Sequence, residues 1–225
     1  MIRLAVFDWN ATLFADASAC LHAQNAVFKR YNAKPVSMAR FRASFNVPVS
    51  RFYEANGLGS RTVRGNSDGI ARLFHSTYEP RASRCRMRKG VRKLLAWLKA
   101  RGFESVILSD HTVAGIKSQL VRLKMEGFFS AVLANPYVGI SMRRRTKLSR
   151  LRSFMRRSSF SPGETVVIGD SPQETEIARA LGAGSIAITG GFYSTARLKA
   201  EKPDYIIDSL IEAIGLVKKH GAKGR

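Results

Sequence analysis

Three apolar segments of this chain each end at a polar side chain that could take part in chemistry. The first segment runs into Asp8, the second into Ser109, and the third into a glycine followed by Asp170. In open α/β sheets, ligands bind in the crevice at the carboxyl ends of the strands. If the three segments are neighbouring parallel strands, we expect Asp8, Ser109 and Asp170 to converge at one edge of the sheet.

Two carboxylates that meet at one sheet edge repel each other unless a cation lies between them. Hard oxygen ligands suit Mg²⁺, which commonly takes one or two carboxylates together with phosphate oxygens. A nearby lysine would balance further negative charge and orient a phosphate. These residue types therefore predict a magnesium site that handles a phosphate group.

Short apolar runs alternate with segments of helical periodicity over most of the chain. The predicted strands cover residues 4–7, 105–108, 131–133, 165–168, 185–188 and 205–207. Continuous apolar strands that alternate with amphipathic helices indicate a parallel sheet covered on both faces. The predicted fold class is α/β, with a doubly wound parallel sheet.

Residues 16–82 lack this alternation and contain helical and loop patterns without a convincing strand. A chain of 225 residues is long enough for one core and a small insert. We predict an α/β core formed by residues 1–15 and 83–225, with a small helical cap at 16–82. Arginines in the predicted cap could bind an anionic substrate: Arg40, Arg42, Arg51, Arg61 and Arg64.

The segment from Asp8 to Thr12 resembles the first motif of the haloacid dehalogenase-like hydrolase superfamily. Ser109 resembles the second motif, Lys147 the third, and the segment from Gly169 to Glu174 the fourth. Segments 190–192 and 203–205 are similar to the ending of its phosphoglycolate-phosphatase-like members. The resemblance implies a Rossmann-like core, a helical cap and phosphatase activity.

The resemblance also implies the roles of the nucleophile and the metal ligands. Asp8 would attack phosphorus and form an aspartyl-phosphate, which is covalent catalysis by a carboxylate. Mg²⁺ would be held by Asp8, the backbone carbonyl of Asn10 and Asp170. Glu174, which stands where the family usually has an aspartate, could reach the metal through a water.

Four further residues are implied near the substrate phosphate. Ser109 would hydrogen-bond the transferring phosphoryl group and Lys147 would balance its charge, with Asp110 and His111 beside the substrate. Lys147 is preceded by Arg143, Arg144 and Arg145, which could do a similar job. His111 is interpreted as structural or as adjacent to the substrate.

Asn10 departs from the family pattern, because phosphatases of the family carry a second aspartate there. That aspartate protonates the leaving group and then activates water, and an amide cannot transfer a proton in this way. General acid–base catalysis contributes about 10²–10⁴-fold. We therefore expect slow turnover, a restriction to good leaving groups, or assistance from another group such as His111.

The charge balance of the chain supports an alternative function. Lys and Arg number 38 against 16 Asp and Glu, which gives a net charge of +22. Such an excess favours polyanionic partners. The alternative is a catalytically weak or inactive protein of this fold that binds nucleic acid or another polyanion through its basic faces. The charge is also compatible with a basic surface that is only solvated and binds no partner.

The remaining expectations concern setting and partners. Cys20 and Cys85 are far apart and fit no metal-ligand spacing, which favours a reducing, cytoplasmic environment. No apolar run approaches the length of a membrane span, so no membrane partner is expected. The expected partner is a small phosphorylated substrate, and the sequence leaves the oligomeric state open.

Overall fold

The computed structural model describes residues 2–136 and 146–222. Its centre is a six-stranded parallel sheet with the strand order β3-β2-β1-β4-β5-β6. The strands are β1 (Leu4–Phe7), β2 (Glu104–Thr112), β3 (Ala131–Asn135), β4 (Thr165–Gly169), β5 (Gly184–Ile188) and β6 (Tyr205–Ile207). The predicted α/β fold with a parallel sheet is confirmed.

Five helices lie between β1 and the segment that leads to β2. They are α1 (Ala17–Arg30), α2 (Met38–Ser44), α3 (Val49–Ala55), α4 (Ser60–Gly65) and α5 (Ser67–Ala82). The helices that accompany the rest of the sheet are α6 (Val91–Lys99), α7 (Val113–Leu123), α8 (Lys147–Met155), α9 (Pro172–Leu181), α10 (Thr195–Ala200) and α11 (Glu212–Ala222). Short 3₁₀ turns cover Glu126–Phe128 and Pro162–Glu164.

The central strand β1 is buried on both faces of the sheet. Ala5 and Phe7 belong to one apolar cluster, whereas Leu4 and Val6 belong to a second cluster on the other face. Successive strand residues point to opposite faces, so a strand with two buried faces needs apolar residues at every position. This explains the continuous apolar run in the sequence.

The strand register brings the predicted site residues to one edge of the sheet. Phe7 of β1 is paired with Ile107 on one side and with Ile168 on the other. Asp8 directly follows Phe7, and its backbone N–H donates to the Ile168 carbonyl at 2.9 Å. The chain therefore leaves β1, β2 and β4 at the same end of the sheet.

Strand β2 is longer than the predicted strand 105–108. Its register against β3 shifts between Leu108 and Thr112, and pairing resumes between Thr112 and Asn135. The irregularity lets the strand continue beyond its apolar run, so Ser109 lies within β2 rather than after it. An apolar pattern alone could not predict this polar extension.

Aromatic side chains join the helices of residues 17–82 to the loop after β5. The Phe41 ring centroid lies 4.9 Å from that of Phe45, 5.5 Å from that of Phe52 and 5.8 Å from that of Phe192. The same apolar cluster extends to Phe7 of the sheet. We retain the cap boundaries as a proposal, with this aromatic contact as its anchor on the core.

Within the described residues, no helix combines the length and the apolar character that a membrane span requires.

We expect Phe41→Ala to lower the free energy of unfolding by about 3–5 kcal/mol, because the side chain is fully buried and its removal leaves a cavity. Urea denaturation measures the effect. The control is Val121→Ala, at a side chain that is 57% exposed, where a change within about 0.5 kcal/mol is expected. An equal loss in both variants would contradict the anchoring role of Phe41.

Candidate active site

The buried ammonium group of Lys147 lies between two carboxylates. Its Nζ atom is 2.7 Å from Asp8 Oδ1 and 2.7 Å from Glu174 Oε1. Lys147 is the first residue of α8, whose N-cap Thr146 accepts a hydrogen bond from the Ser149 N–H. Three separate segments, the end of β1, the start of α8 and the first turn of α9, therefore meet at one nitrogen atom.

The start of α9 fixes Glu174 in this position. Ser171 is the N-cap, as its sequence position before Pro172 predicted, and its hydroxyl accepts from the Gln173 N–H at 3.2 Å. The same hydroxyl donates to Glu174 Oε2, so both oxygens of Glu174 have protein partners. A Cβ atom at Gly169 would lie 2.2 Å from Glu174 Cγ, so only glycine leaves room for this side chain.

Asp170 is held beside Asp8 by donors from two distant loops. Its Oδ1 accepts from the Thr12 hydroxyl at 2.9 Å, and its Oδ2 accepts from the Phe192 N–H at 2.6 Å. A Cβ atom at Gly191 would lie 2.2 Å from Asp170 Oδ2. The loop after β5 can therefore approach the carboxylate only because residue 191 has no side chain.

Burial dominates the electrostatics of the two aspartates. It raises the pKa of Asp8 well above its ordinary value, and although Lys147 acts in the opposite direction, Glu174 and Asp170 add to the increase. Burial and then Glu174 raise the pKa of Asp170 to about 6, against the hydrogen bonds from Phe192 and Thr12. Ionising both aspartates would therefore be easier with an additional cation between them.

Burial acts to lower the pKa of Lys147, but the charges of Asp8 and Glu174 outweigh it and raise this pKa well above its ordinary value. Lys147 therefore stays protonated, and its single positive charge is in direct contact with the carboxylates of Asp8 and Glu174.

The donor set fits a magnesium ion. Asp8 and Asp170 offer hard carboxylate oxygens, and Asn10, whose backbone carbonyl is the third predicted ligand, lies two positions after Asp8 in the chain. Within residues 2–136 and 146–222, no three His, Cys, Asp or Glu side chains form a metal-binding group. Mg²⁺ does not require one, since it keeps several waters and binds through one or two carboxylates plus phosphate.

The side chain of Asn10 donates to the buried carboxylate of Asp16, a residue that the sequence patterns did not identify. Asn10 Nδ2 donates to Asp16 Oδ2 at 2.7 Å and to the Tyr78 hydroxyl at 3.0 Å, and that hydroxyl also donates to Asp16 Oδ2 at 2.7 Å. The Ala11 N–H donates to Asp16 Oδ1 at 2.7 Å. Burial raises the pKa of Asp16, and these hydrogen bonds partly oppose the increase.

Sequence reasoning missed Asp16 and Tyr78 for different reasons. Asp16 precedes α1, where an acidic residue suggests a helix cap, but its side chain does not cap this helix. Tyr78 lies in α5, and its spacing resembles that of any core aromatic. Position 16 offered a weak signal, whereas position 78 offered none.

The structure separates the three predicted site residues of β2. Ser109 is buried, and its hydroxyl accepts from the His111 N–H at 3.1 Å. Asp110 pairs instead with Arg150, at 2.8 Å between Oδ1 and the guanidinium. The ring of His111 accepts the Thr112 N–H at Nδ1, and burial lowers its pKa.

The predicted site residues thus fall into two groups. Asp8, Lys147, Asp170 and Glu174 are brought together, whereas Asp110 is held by Arg150 at the end of β2. Arg143, Arg144 and Arg145, which were considered as substitutes for Lys147, lie outside the described residues. The catalytic and metal-binding roles of all these residues stay predictions.

Comparison with known proteins settles the family. Residues 5–188 match the haloacid dehalogenase-like hydrolase family. This chain belongs to that family. Phosphoglycolate phosphatase of Synechococcus elongatus is 30% identical over 128 residues, which are 56% of this chain and 58% of the relative's length. Phosphoglycolate phosphatase of Pseudomonas putida is 23% identical over 92% of this chain and 77% of the relative.

A haloacid dehalogenase-like fold is also found among solved structures. A predicted phosphatase from Clostridium acetobutylicum has a TM-score of 0.79 at 19% identity, over 97% of this chain and 99% of the other. At that identity the likeness shows the fold alone. Together with the family match, the relatives confirm the predicted enzyme class, a haloacid dehalogenase-like phosphatase.

Two of the five arginines in the predicted cap are less available to a substrate than the sequence suggested. Arg42 donates to the carbonyls of Gly190 and Gly191 at 2.8 and 2.9 Å, which ties α2 to the loop that holds Asp170. Arg40 donates to Asn56 and to the Ala55 carbonyl. Both guanidinium groups hold the structure together.

Gly191→Ala should reduce phosphatase turnover by about 10²-fold, because the new Cβ must displace the Asp170 carboxylate and misplacement by about 1 Å has that effect in other enzymes. Steady-state phosphate release measures it. Gly163→Ala is the matched control, since a Cβ at Gly163 meets nothing within 4 Å. Full activity of Gly191→Ala would contradict the tight packing on Asp170.

Proposed function

We propose that this protein is a magnesium-dependent phosphomonoesterase that works through an aspartyl-phosphate at Asp8. The observation that carries the proposal is the buried contact of Lys147 Nζ with both Asp8 and Glu174. A buried ion pair often brings little net stability, because the desolvation penalty can exceed the Coulombic gain, so we assign the charge of Lys147 to function. The phosphoryl group of a substrate would use that charge.

The contact with Lys147 makes the two carboxylate oxygens of Asp8 different from each other. It binds Oδ1, and no donor from the described part of the chain is bonded to Oδ2. Oδ2 is therefore the oxygen that attacks phosphorus, forming a new P–O bond while the bond to the leaving oxygen breaks. Water then cleaves the aspartyl-phosphate and releases Asp8 and phosphate.

The magnesium ion would be held by Asp8, by the backbone carbonyl of Asn10 and by Asp170. When bound, it offsets negative charge on the phosphoryl group and holds that group in line with the nucleophile. Ser109 lies within β2, the neighbour of β1, at the same edge of the sheet, and would donate its hydroxyl to a phosphoryl oxygen.

Proton transfer to the leaving group is the step for which position 10 supplies no suitable side chain. The Asn10 amide donates to Asp16 and Tyr78, and an amide cannot give a proton to the leaving group. Turnover should therefore be slow with alkyl phosphates and faster with leaving groups that need no proton.

The proposed substrate is a small phosphorylated acid, with 2-phosphoglycolate as the first candidate. Support comes from the relatives in Synechococcus and Pseudomonas, which are named for that substrate. We further propose a cytoplasmic setting, where such metabolites are found and where the free thiols of Cys20 and Cys85 would persist.

Magnesium-dependent release of phosphate tests this function. We expect hydrolysis of an activated aryl phosphate and of 2-phosphoglycolate with Mg²⁺, and loss of at least about 10²-fold with a chelator or in Asp8→Asn. A panel of small phosphorylated metabolites without the carboxylate tests the substrate class. Equal rates with Mg²⁺ and with chelator, or full activity in Asp8→Asn, would contradict the mechanism.

The structure refines what Asn10→Asp should do. From the sequence, restoring the aspartate should increase turnover by up to about 10²–10⁴-fold. However, an aspartate at position 10 would place its carboxylate against Asp16, where Asn10 Nδ2 now lies 2.7 Å from Oδ2. Because like charges at that distance repel, we expect a larger gain when Asp16→Asn is combined with Asn10→Asp.

Steady-state phosphate release is compared for the wild type, the two single variants and the double variant, with Asp16→Asn as the matched control. If the effects of the two substitutions on turnover simply multiplied in the double variant, coupling between positions 10 and 16 would be contradicted. A wild type as fast as Asn10→Asp on alkyl phosphates would mean that another group, with His111 the first candidate, already transfers the proton.

A further inference from the structure

A strongly basic cavity of about 660 Å³ lies between the start of α6 and the end of α7. One of its lining residues, Arg88, also donates to the Ala11 and Thr189 carbonyls in the loops around the Asp8 site. Its basic lining consists of Arg86, Arg88, Arg92, Lys93, Arg122 and Lys124. The rest of the lining is Met87, Gly90, Leu123, Met125 and Ile211. No acidic residue contributes to this wall, so we call this cavity the basic pocket.

The positive charge of the basic pocket is not balanced by carboxylates. None of its six cationic residues takes part in an ion pair in the described part of the chain. Their hydrogen bonds go to backbone carbonyls instead: Arg92 donates to Leu123 at 3.0 Å, and Arg122 donates to Cys85 at 2.7 Å. A guanidinium bound to a neutral carbonyl keeps its full charge.

The ends of two helices also contribute to the potential of the pocket, with opposite signs. Gly90, at a φ of 89°, is the N-cap of α6, so the positive end of that helix dipole lies in the pocket wall. The negative end of α7 also lies in this wall and partly offsets the charge of Arg92, which donates to the Leu123 and Lys124 carbonyls. Arg86 and Lys93 are exposed, and within the described part of the chain their side chains form no hydrogen bond or ion pair.

The wall also indicates which part of a ligand the pocket would contact. It has no aromatic side chain, so bases could not stack in it as they do in single-strand-binding grooves. Several cations without carboxylates suit a series of phosphates. We propose that the basic pocket binds a linear phosphate chain, recognised through its phosphates alone and independently of the phosphatase reaction.

Two sources share this chemistry, a free inorganic polyphosphate and the backbone of a single-stranded nucleic acid. Binding of a labelled abasic oligonucleotide and of inorganic polyphosphate, each about twenty phosphates long, distinguishes them. A base-bearing oligothymidylate of equal length is the third probe. We expect affinity to fall steeply with salt, with a slope of about −0.7 per phosphate neutralised on a single strand.

The double variant Arg86→Glu/Lys93→Glu tests the location. We expect it to weaken binding by about tenfold or more and to reduce the salt slope, because two phosphate contacts are lost. The matched control is Arg156→Glu/Lys199→Glu, which makes the same change in net charge at exposed residues outside the pocket and should weaken binding less than about threefold. Turnover of an aryl phosphate should be unchanged in both, which confirms folding.

Three results would overturn the proposal. An equal loss in both double variants would mean that diffuse surface charge binds the probes. Absence of binding to all probes at low salt would leave the basic pocket without this ligand. Oligothymidylate binding about tenfold tighter than the abasic strand would show that bases are contacted. Binding of polyphosphate only, or of the abasic strand only, assigns the source.

Discussion

The site depends on one buried ionic cluster, in which Lys147 pairs with both Asp8 and Glu174. Removing one partner of a buried pair commonly costs about 3–5 kcal/mol, because a charge is left without compensation. Here that penalty would fall on three segments at once, since β1, α8 and α9 meet at Lys147 Nζ. The same contact engages Oδ1 of Asp8, the proposed nucleophile, so in the proposed mechanism stability and chemistry share one interaction.

Two glycines leave room for the side chains around this ionic cluster. Gly169 lets Glu174 turn towards the lysine, and Gly191 lets the loop after β5 approach Asp170. That loop is in turn held by Arg42 and packs its Phe192 against Phe41 of α2. The geometry of a carboxylate at the sheet edge is therefore coupled to helices that belong to the proposed cap.

The neighbours of Asn10 explain why an amide is accommodated at this position. Its amide lies between the buried carboxylate of Asp16 and the hydroxyl of Tyr78, which joins the loop after β1 to α5. An amide suits this position because it can donate to a carboxylate, whereas a second carboxylate could not without a proton. The departure from the family motif at position 10 is thus matched to Asp16, a contact that no local sequence pattern contains.

The sequence by itself determined the fold class and the edge of the sheet where Asp8, Ser109 and Asp170 lie, because strand burial and the ends of apolar runs are local properties. The resemblance of its motifs added Lys147 and Glu174. Only the tertiary structure decided that Lys147 contacts Asp8 across 139 positions, that Asp16 meets Tyr78 across 62 positions, and that Asp110 pairs with Arg150. Such contacts arise when separate elements pack together. The periodicity of residues within one element does not indicate which distant side chains it will contact.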